Sequence, residues 1–119
     1  MPERRAFARV NLSHEHTVRF VLKGHPFQGI RLANLSAGGC FILAPRASAG
    51  LFQPGGLLEQ FRFETSGLPQ VAITGAVAYA FAPSPGMGVV GVGVNWLRLP
   101  DLVEYELDRF VERLLEANE

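Results

Sequence analysis

The sequence predicts an all-β domain: a closed or nearly closed antiparallel barrel of six strands, followed by one C-terminal helix. Three observations lead there. Hydrophobic residues make up 48% of the 119-residue chain, and no long polar tract interrupts them, so a folded core is expected. Between residues 16 and 96 short apolar runs are separated by Gly-, Pro- and Ser-containing breaks, the pattern of successive short strands. After Pro100 the period changes to that of a helix.

The first strand is read over Thr17-Val18-Arg19-Phe20-Val21-Leu22, ended by turn chemistry at Lys23-Gly24-His25-Pro26. Phe27–Leu32 is the second, with Ile30 and Leu32 on one face and Arg31 on the other. Asn34 to Gly39 breaks the pattern, and Cys40 to Ala44 resumes it. A loop rich in Pro, Gly, Ala and Ser occupies Pro45 to Gly56. Leu58–Glu64 follows, with Phe61 and Phe63 sharing a face, and Ser66-Gly67-Leu68-Pro69 turns the chain. Val71, Ile73, Val77 and Tyr79 mark a long strand, in which Gly75 suggests a bend or bulge. Pro83-Ser84-Pro85-Gly86 closes it, and Val89 to Trp96 is the last strand. In the helix, Leu102/Val103, Leu107, Phe110/Val111 and Leu114/Leu115 recur at three- and four-residue spacing. Pro100 suits its start, and Asp101 and Glu104 favour its N-terminus electrostatically. The apolar stripe must cover something, and a barrel mouth is expected. One domain over 1–119 is expected, with a flexible arginine-rich arm at 1–10, the barrel at 16–96 and the helix at 100–117.

Formal net charge is zero, but residues 1–46 carry seven basic groups against two acidic ones, and residues 47–119 carry four against nine. A basic first half in a neutral chain suits a compact anion better than a long polymer, so DNA and RNA are not expected as partners. The lone Cys40 sits in the apolar run Cys40-Phe41-Ile42-Leu43 and reads as a buried small hydrophobe. The N-terminus lacks the apolar stretch of a signal peptide, and no run has the length of a membrane span, so a cytoplasmic location is expected.

Two segments point beyond structure. Arg4-Arg5-Ala6-Phe7-Ala8-Arg9 precedes any strand pattern and carries three guanidinium groups, which pair with phosphate and stack on aromatic bases. Alone, it reads equally well as a solubilising tail. Asn34-Leu35-Ser36-Ala37-Gly38-Gly39 lies between two strands; Asn and Ser can cap a turn, and the paired glycines allow close approach to the backbone. By itself it is an ordinary turn. Together and in this order the two segments resemble the PilZ family, which pairs an RxxxR motif with a downstream (D/N)xSxxG motif. Arg5 and Arg9 fill the first; Asn34, Ser36 and Gly39 fill the second. Gly75-Ala76-Val77-Ala78-Tyr79 looks like that family's fifth strand and Gly91–Trp96 like its last, so the likeness covers nearly the whole chain.

The resemblance implies a six-stranded PilZ-type barrel that binds cyclic di-GMP and acts as a non-enzymatic receptor in bacterial second-messenger signalling. Arg4, Arg5, Arg9, Asn34, Ser36, Gly38 and Gly39 would form the site. An arginine fork matches the O6 and N7 acceptors of guanine, a pairing worth about 1–3 kcal/mol in DNA recognition. Asn34 stands where Asp is commoner, and a neutral amide is the weaker acceptor for guanine N–H groups. Tyr79 stands where many members carry Trp; it either flanks the ligand or belongs to the core. Binding would dock the arm and alter the surface offered to a downstream protein. The alternative is a degenerate adaptor that binds proteins without nucleotide. No catalytic residues, cofactor or metal are implied: Ser36 has no His-Asp support in sequence, and His14 and His16, read as facing one way on a strand, lack a ligand set. A single-stranded nucleic-acid barrel would need exposed aromatic and basic residues on its strands, a pattern the alternation does not display. Dimerisation is left open.

Overall fold

The structure is a computed structural model and describes residues 8–82 and 86–117. Seven strands, β1 (Arg9–Asn11), β2 (Thr17–Leu22), β3 (His25–Ser36), β4 (Gly39–Pro45), β5 (Leu57–Phe63), β6 (Ile73–Phe81) and β7 (Val89–Leu97), precede helix α1 (Asp101–Ala117). All pairings are antiparallel. The ring runs β3-β2-β5-β6-β7-β4, and β4 returns to β3, closing a six-stranded barrel. Closure leaves no long unpaired edge among these six strands. The extra strand β1 continues the edge of β3 on which β2 lies: β2 pairs with β3 up to Arg31, and β1 pairs with Asn34–Ser36.

Alternation fills the interior. Val18, Phe20 and Leu22 of β2 meet Leu58, Phe61 and Phe63 of β5, with the Phe20 and Phe61 rings stacked at 5.8 Å. Ile42, Val92, Val94 and Leu32 line the opposite wall. Helix α1 turns Val103, Leu107 and Val111 inward and lies against β1 and β3, so it covers one end of the barrel as its apolar stripe requires. No helix of the described residues is long and apolar enough to cross a membrane.

Several elements differ from the sequence reading. Strand pairing begins at Arg9, inside the segment assigned to the arm, because the open edge of β3 offers Arg9 and Val10 a ladder partner. The first turn needs two residues only: Lys23 and Gly24 take φ of 52° and 79°, the positive pair of a type I′ hairpin, and His25 and Pro26 already belong to β3. Pro26 is tolerated there because that part of β3 has a neighbour on one side. The break expected over Asn34 to Gly39 shrinks to Ala37-Gly38, since Ser36 pairs directly with Gly39. Arg46–Leu51, read as loop, forms a short 3-10 helix. At Gly75, where a bend or bulge was expected, the β5–β6 register does shift, with the extra residue in β5, and Gly75 itself faces the Val94 and Trp96 side chains, which fill the space a Cβ would need. His14 and Glu15 sit in the turn between β1 and β2, where the Ser13 hydroxyl lies 3.2 Å from His16 Nδ1; the strand expected to align the two histidines is absent there.

Candidate functional site

Two β-bulges aim the residues of the candidate site. The β3–β4 register shifts between Leu32 and Asn34, and the β6–β7 register shifts between Val77 and Tyr79. Each bulge inserts one residue, Ala33 and Ala78, and one extra residue reverses which face the following side chains take. Without them Asn34 would follow Leu32, and Tyr79 would follow Val77, into the core. Both face outward instead, and Tyr79 is 50% exposed.

Two adjacent rows then cross the outer wall. One runs Asn11–Asn34–Phe41–Gly93–Tyr79, the other Arg9–Ser36–Gly39–Asn95–Ala76. At one end, the Arg9 Nη1 group donates to Asn34 Oδ1 at 2.6 Å, joining the two sequence motifs across 25 positions. A charge-assisted bond of this kind fixes the amide orientation and leaves further guanidinium N–H groups and the Asn34 NH₂ as donors.

Ser36 works differently from the role the sequence suggests. Its side chain is buried, and its Oγ accepts from the Gly38 and Gly39 N–H groups at 3.1 and 3.2 Å while donating to the Gly39 carbonyl at 3.3 Å. The hydroxyl therefore holds the two-residue turn instead of facing outward. Trp96 secures the same corner from β7: its indole N–H donates to the Ser36 carbonyl at 3.3 Å, and its backbone N–H donates to the Gly38 carbonyl at 3.1 Å. Gly39 has no alternative, because a Cβ there would collide with the Val94 carbonyl. Gly38 and Gly39 thus stand at the corner below Arg9, with their backbone groups already engaged.

Of the residues singled out in the sequence, the fold brings Arg9, Asn34, Ser36, Gly38 and Gly39 to one corner and places Tyr79 at the far end of the row that holds Asn34. Arg4 and Arg5 lie outside the described residues. Cys40, one residue beyond the corner, is buried, and burial pushes its thiol pKa far up despite the Arg9 charge; it is a core residue.

The sequence reading missed Phe41, Phe81 and Asn95. Asn95 is the exposed polar residue between inward-facing Val94 and Trp96, a signal that alternation in β7 already carries. Phe41 and Phe81 are partly exposed and, with Tyr79, form an aromatic group on the outside of the barrel, so the aromatic half of the basic-and-aromatic pattern that the alternation did not display is present there. The bulge at Ala78 concealed it.

Fold and corner together define the class: a small closed antiparallel barrel with an extra N-terminal strand, a capping helix, and its motif residues on the outer wall. The chain belongs to the PilZ family; the family model of the PilZ domain matches residues 3–113. No curated protein matches the chain at a significant level. Among solved structures it is similar to MrkH of K. pneumonia in complex with c-di-GMP, at 16% identity and TM-score 0.79, covering 98% of this chain and 55% of that one. It is similar to the PilZ domain of YcgR from Escherichia coli with c-di-GMP, at 17% identity and TM-score 0.75, covering 98% and 95%. It also resembles the Bacillus subtilis inhibitor of motility MotI/DgrA, at 17% identity and TM-score 0.77, covering 98% and 53%. The chain therefore spans about half the length of MrkH and MotI. At these identities the likeness establishes the fold.

Proposed function

We propose that this domain is a receptor for cyclic di-GMP, without enzymatic activity, that seats the nucleotide on the corner formed by Arg9, Asn34 and the Ser36-Ala37-Gly38-Gly39 turn. The observation that carries the reading is the Arg9–Asn34 bond: two motifs far apart in sequence supply one outward-facing constellation of donors and an acceptor. Family membership and the ligand named for the similar MrkH and YcgR structures support the same choice. In this reading Arg9 turns its fork to a guanine edge or a phosphate, Asn34 reads a guanine edge, and Arg4 and Arg5 close over the ligand from the segment before β1. Ser36, Gly38 and Gly39 act through the turn they build: they fix its height and keep the backbone bare beneath the ligand. Docking of the arm changes the surface offered to a downstream protein, a population shift that the ligand drives by favouring the docked state.

Calorimetric titration with cyclic di-GMP tests this. Arg5→Ala, Arg9→Ala and Asn34→Ala are each expected to weaken binding, the two arginine variants by tenfold or more, with an unchanged fold by circular dichroism. NMR should report ligand-dependent shifts before β1. Unchanged affinity in both arginine variants rejects the site. A flat titration of the wild-type protein rejects the receptor reading and favours a PilZ-like adaptor that binds protein without nucleotide.

A further inference from the structure

Away from the corner, the outer wall of β2, β3 and β5 is shaped by two further bulges. The β2–β3 register shifts between Val18 and Phe20 with the extra residue in β3, and the β2–β5 register shifts between Arg19 and Val21 with the extra residue in β5. Each shift leaves two consecutive residues outside, Gln28 with Gly29 and Glu59 with Gln60, on either side of β2 near Arg19. A hollow of about 350 Å³ opens there, with Arg19, Arg62, Gln28 and Gln60 as its polar lining and Pro26 and Phe27 on its apolar side.

Two features of this wall work against the fold. Arg19 and Arg62 are direct ladder partners, so two guanidinium stems leave one face side by side, an arrangement that repels unless an anion lies between them. Among the described residues no carboxylate lines the hollow. Glu64, outside it, accepts from the Gly29 N–H at 3.1 Å, and Arg62 donates one N–H to the Gln70 carbonyl at 3.1 Å. Long stems that shield an apolar wall account for one arginine, not for a like-charged pair. The second feature is Gln60, whose φ is 52°. In the β3 bulge the left-handed place is taken by a glycine, Gly29 at 65°, which adopts it without strain. In β5 a glutamine stands there, exposed, with backbone strain that a glycine would relieve. The fold gains nothing from that side chain, so its use lies in what reaches the hollow from outside.

We infer that this hollow is a docking site for an acidic segment of a partner protein. The Arg19–Arg62 pair takes a carboxylate, Gln28 and Gln60 bond the segment's other polar groups, and Pro26 and Phe27 seat an apolar neighbour. Charge complementarity selects this occupant. Two cations are too few to follow a phosphate backbone, and the chain's acidic and basic residues are equal in number. The amides and the apolar side extend past what one small anion would touch. Both edges of β2 are paired at this point, so recognition is by side chains and not by strand addition. The site is independent of the nucleotide reading: Asn34 lies six residues along β3 from Gln28, about 20 Å at the rise of a strand.

The test uses the full chain, a fluorescent peptide of glutamate, leucine and serine, and its counterpart with glutamine for glutamate, followed by anisotropy and NMR. The glutamate peptide should bind saturably, roughly tenfold or more tightly than its counterpart, and more weakly as salt rises. Shifts should fall on Arg19, Gln60 and Arg62. Arg19→Gln and Arg62→Gln should each weaken binding roughly fivefold or more without loss of stability, and Arg19→Lys should recover only part of it. Gln60→Gly should bind more weakly while unfolding at equal or higher urea, which separates a binding residue from a structural one. Wild-type affinity in the double arginine variant, shifts confined to another face, or no saturation of the wild-type chain overturns the site. Tighter binding of inorganic phosphate than of the peptide would assign the hollow to a small anion, and self-association abolished by the arginine variants would assign it to a second copy. Either result also overturns the proposal.

Discussion

Ser36 gathers three backbone groups at the β3–β4 turn, and its burial makes that oxygen hard to replace with water. Ser36→Ala leaves the Gly38 and Gly39 N–H groups without their acceptor, and stranding a buried donor costs about 1–3 kcal/mol. Urea denaturation should show the unfolding free energy lowered by that amount; a loss under about 0.5 kcal/mol would show that the turn holds itself. Arg9 is the opposite kind of residue. It is exposed and makes its side-chain bond at the surface, so its removal should spare the fold and act on the ligand. The sequence motif treats the serine and the arginine alike; burial separates one that builds the corner from one that uses it.

At the scale of elements, the two bulges decide what the outer wall displays. Ile73, Val77 and Tyr79 share one parity, so an unbroken β6 would send Tyr79 inward; the alternative of a core role for this residue rested on the preference of barrel aromatics for the interior. Ala78 breaks the phase, and Tyr79 and Phe81 come out on the outer face opposite Gly93 and Gly91. Deleting Ala78 should restore the simple alternation and drive both rings toward Val92 and Val94, overpacking a filled interior. Expected is a loss of the near-UV circular dichroism signal and of cooperative unfolding. A deletion variant with the native spectrum and midpoint would place control of the phase elsewhere. Most of the strand positions, the presence of a turn after Leu22 and the amphipathic period of α1 were legible because local chemistry sets them. The bulges were not, since alanine carries no turn signal and only the register of neighbouring strands creates the extra residue.

Across the whole molecule, barrel and helix share one core. Leu107 is fully buried, and α1 lies against β1 and β3, the strands that carry Arg9 and Asn34. Leu107→Ala should cost about 2–5 kcal/mol. Because the helix has no separate core, unfolding followed by helical circular dichroism and by Trp96 fluorescence should remain a single coincident transition, moved to lower denaturant. Two separated transitions would show that the helix detaches on its own.

Hydrophobic period, turn residues and motif spacing are local properties, and through them the barrel, the terminal helix, the buried cysteine and the two motifs can be read along the chain. Tertiary packing was needed to bring Arg9 into a strand, its guanidinium to Asn34, the Ser36 hydroxyl onto the backbone of its own turn, and three aromatic rings together on the outside. Each of those depends on which strand becomes a neighbour and in what register, and register is fixed by the closed sheet as a whole.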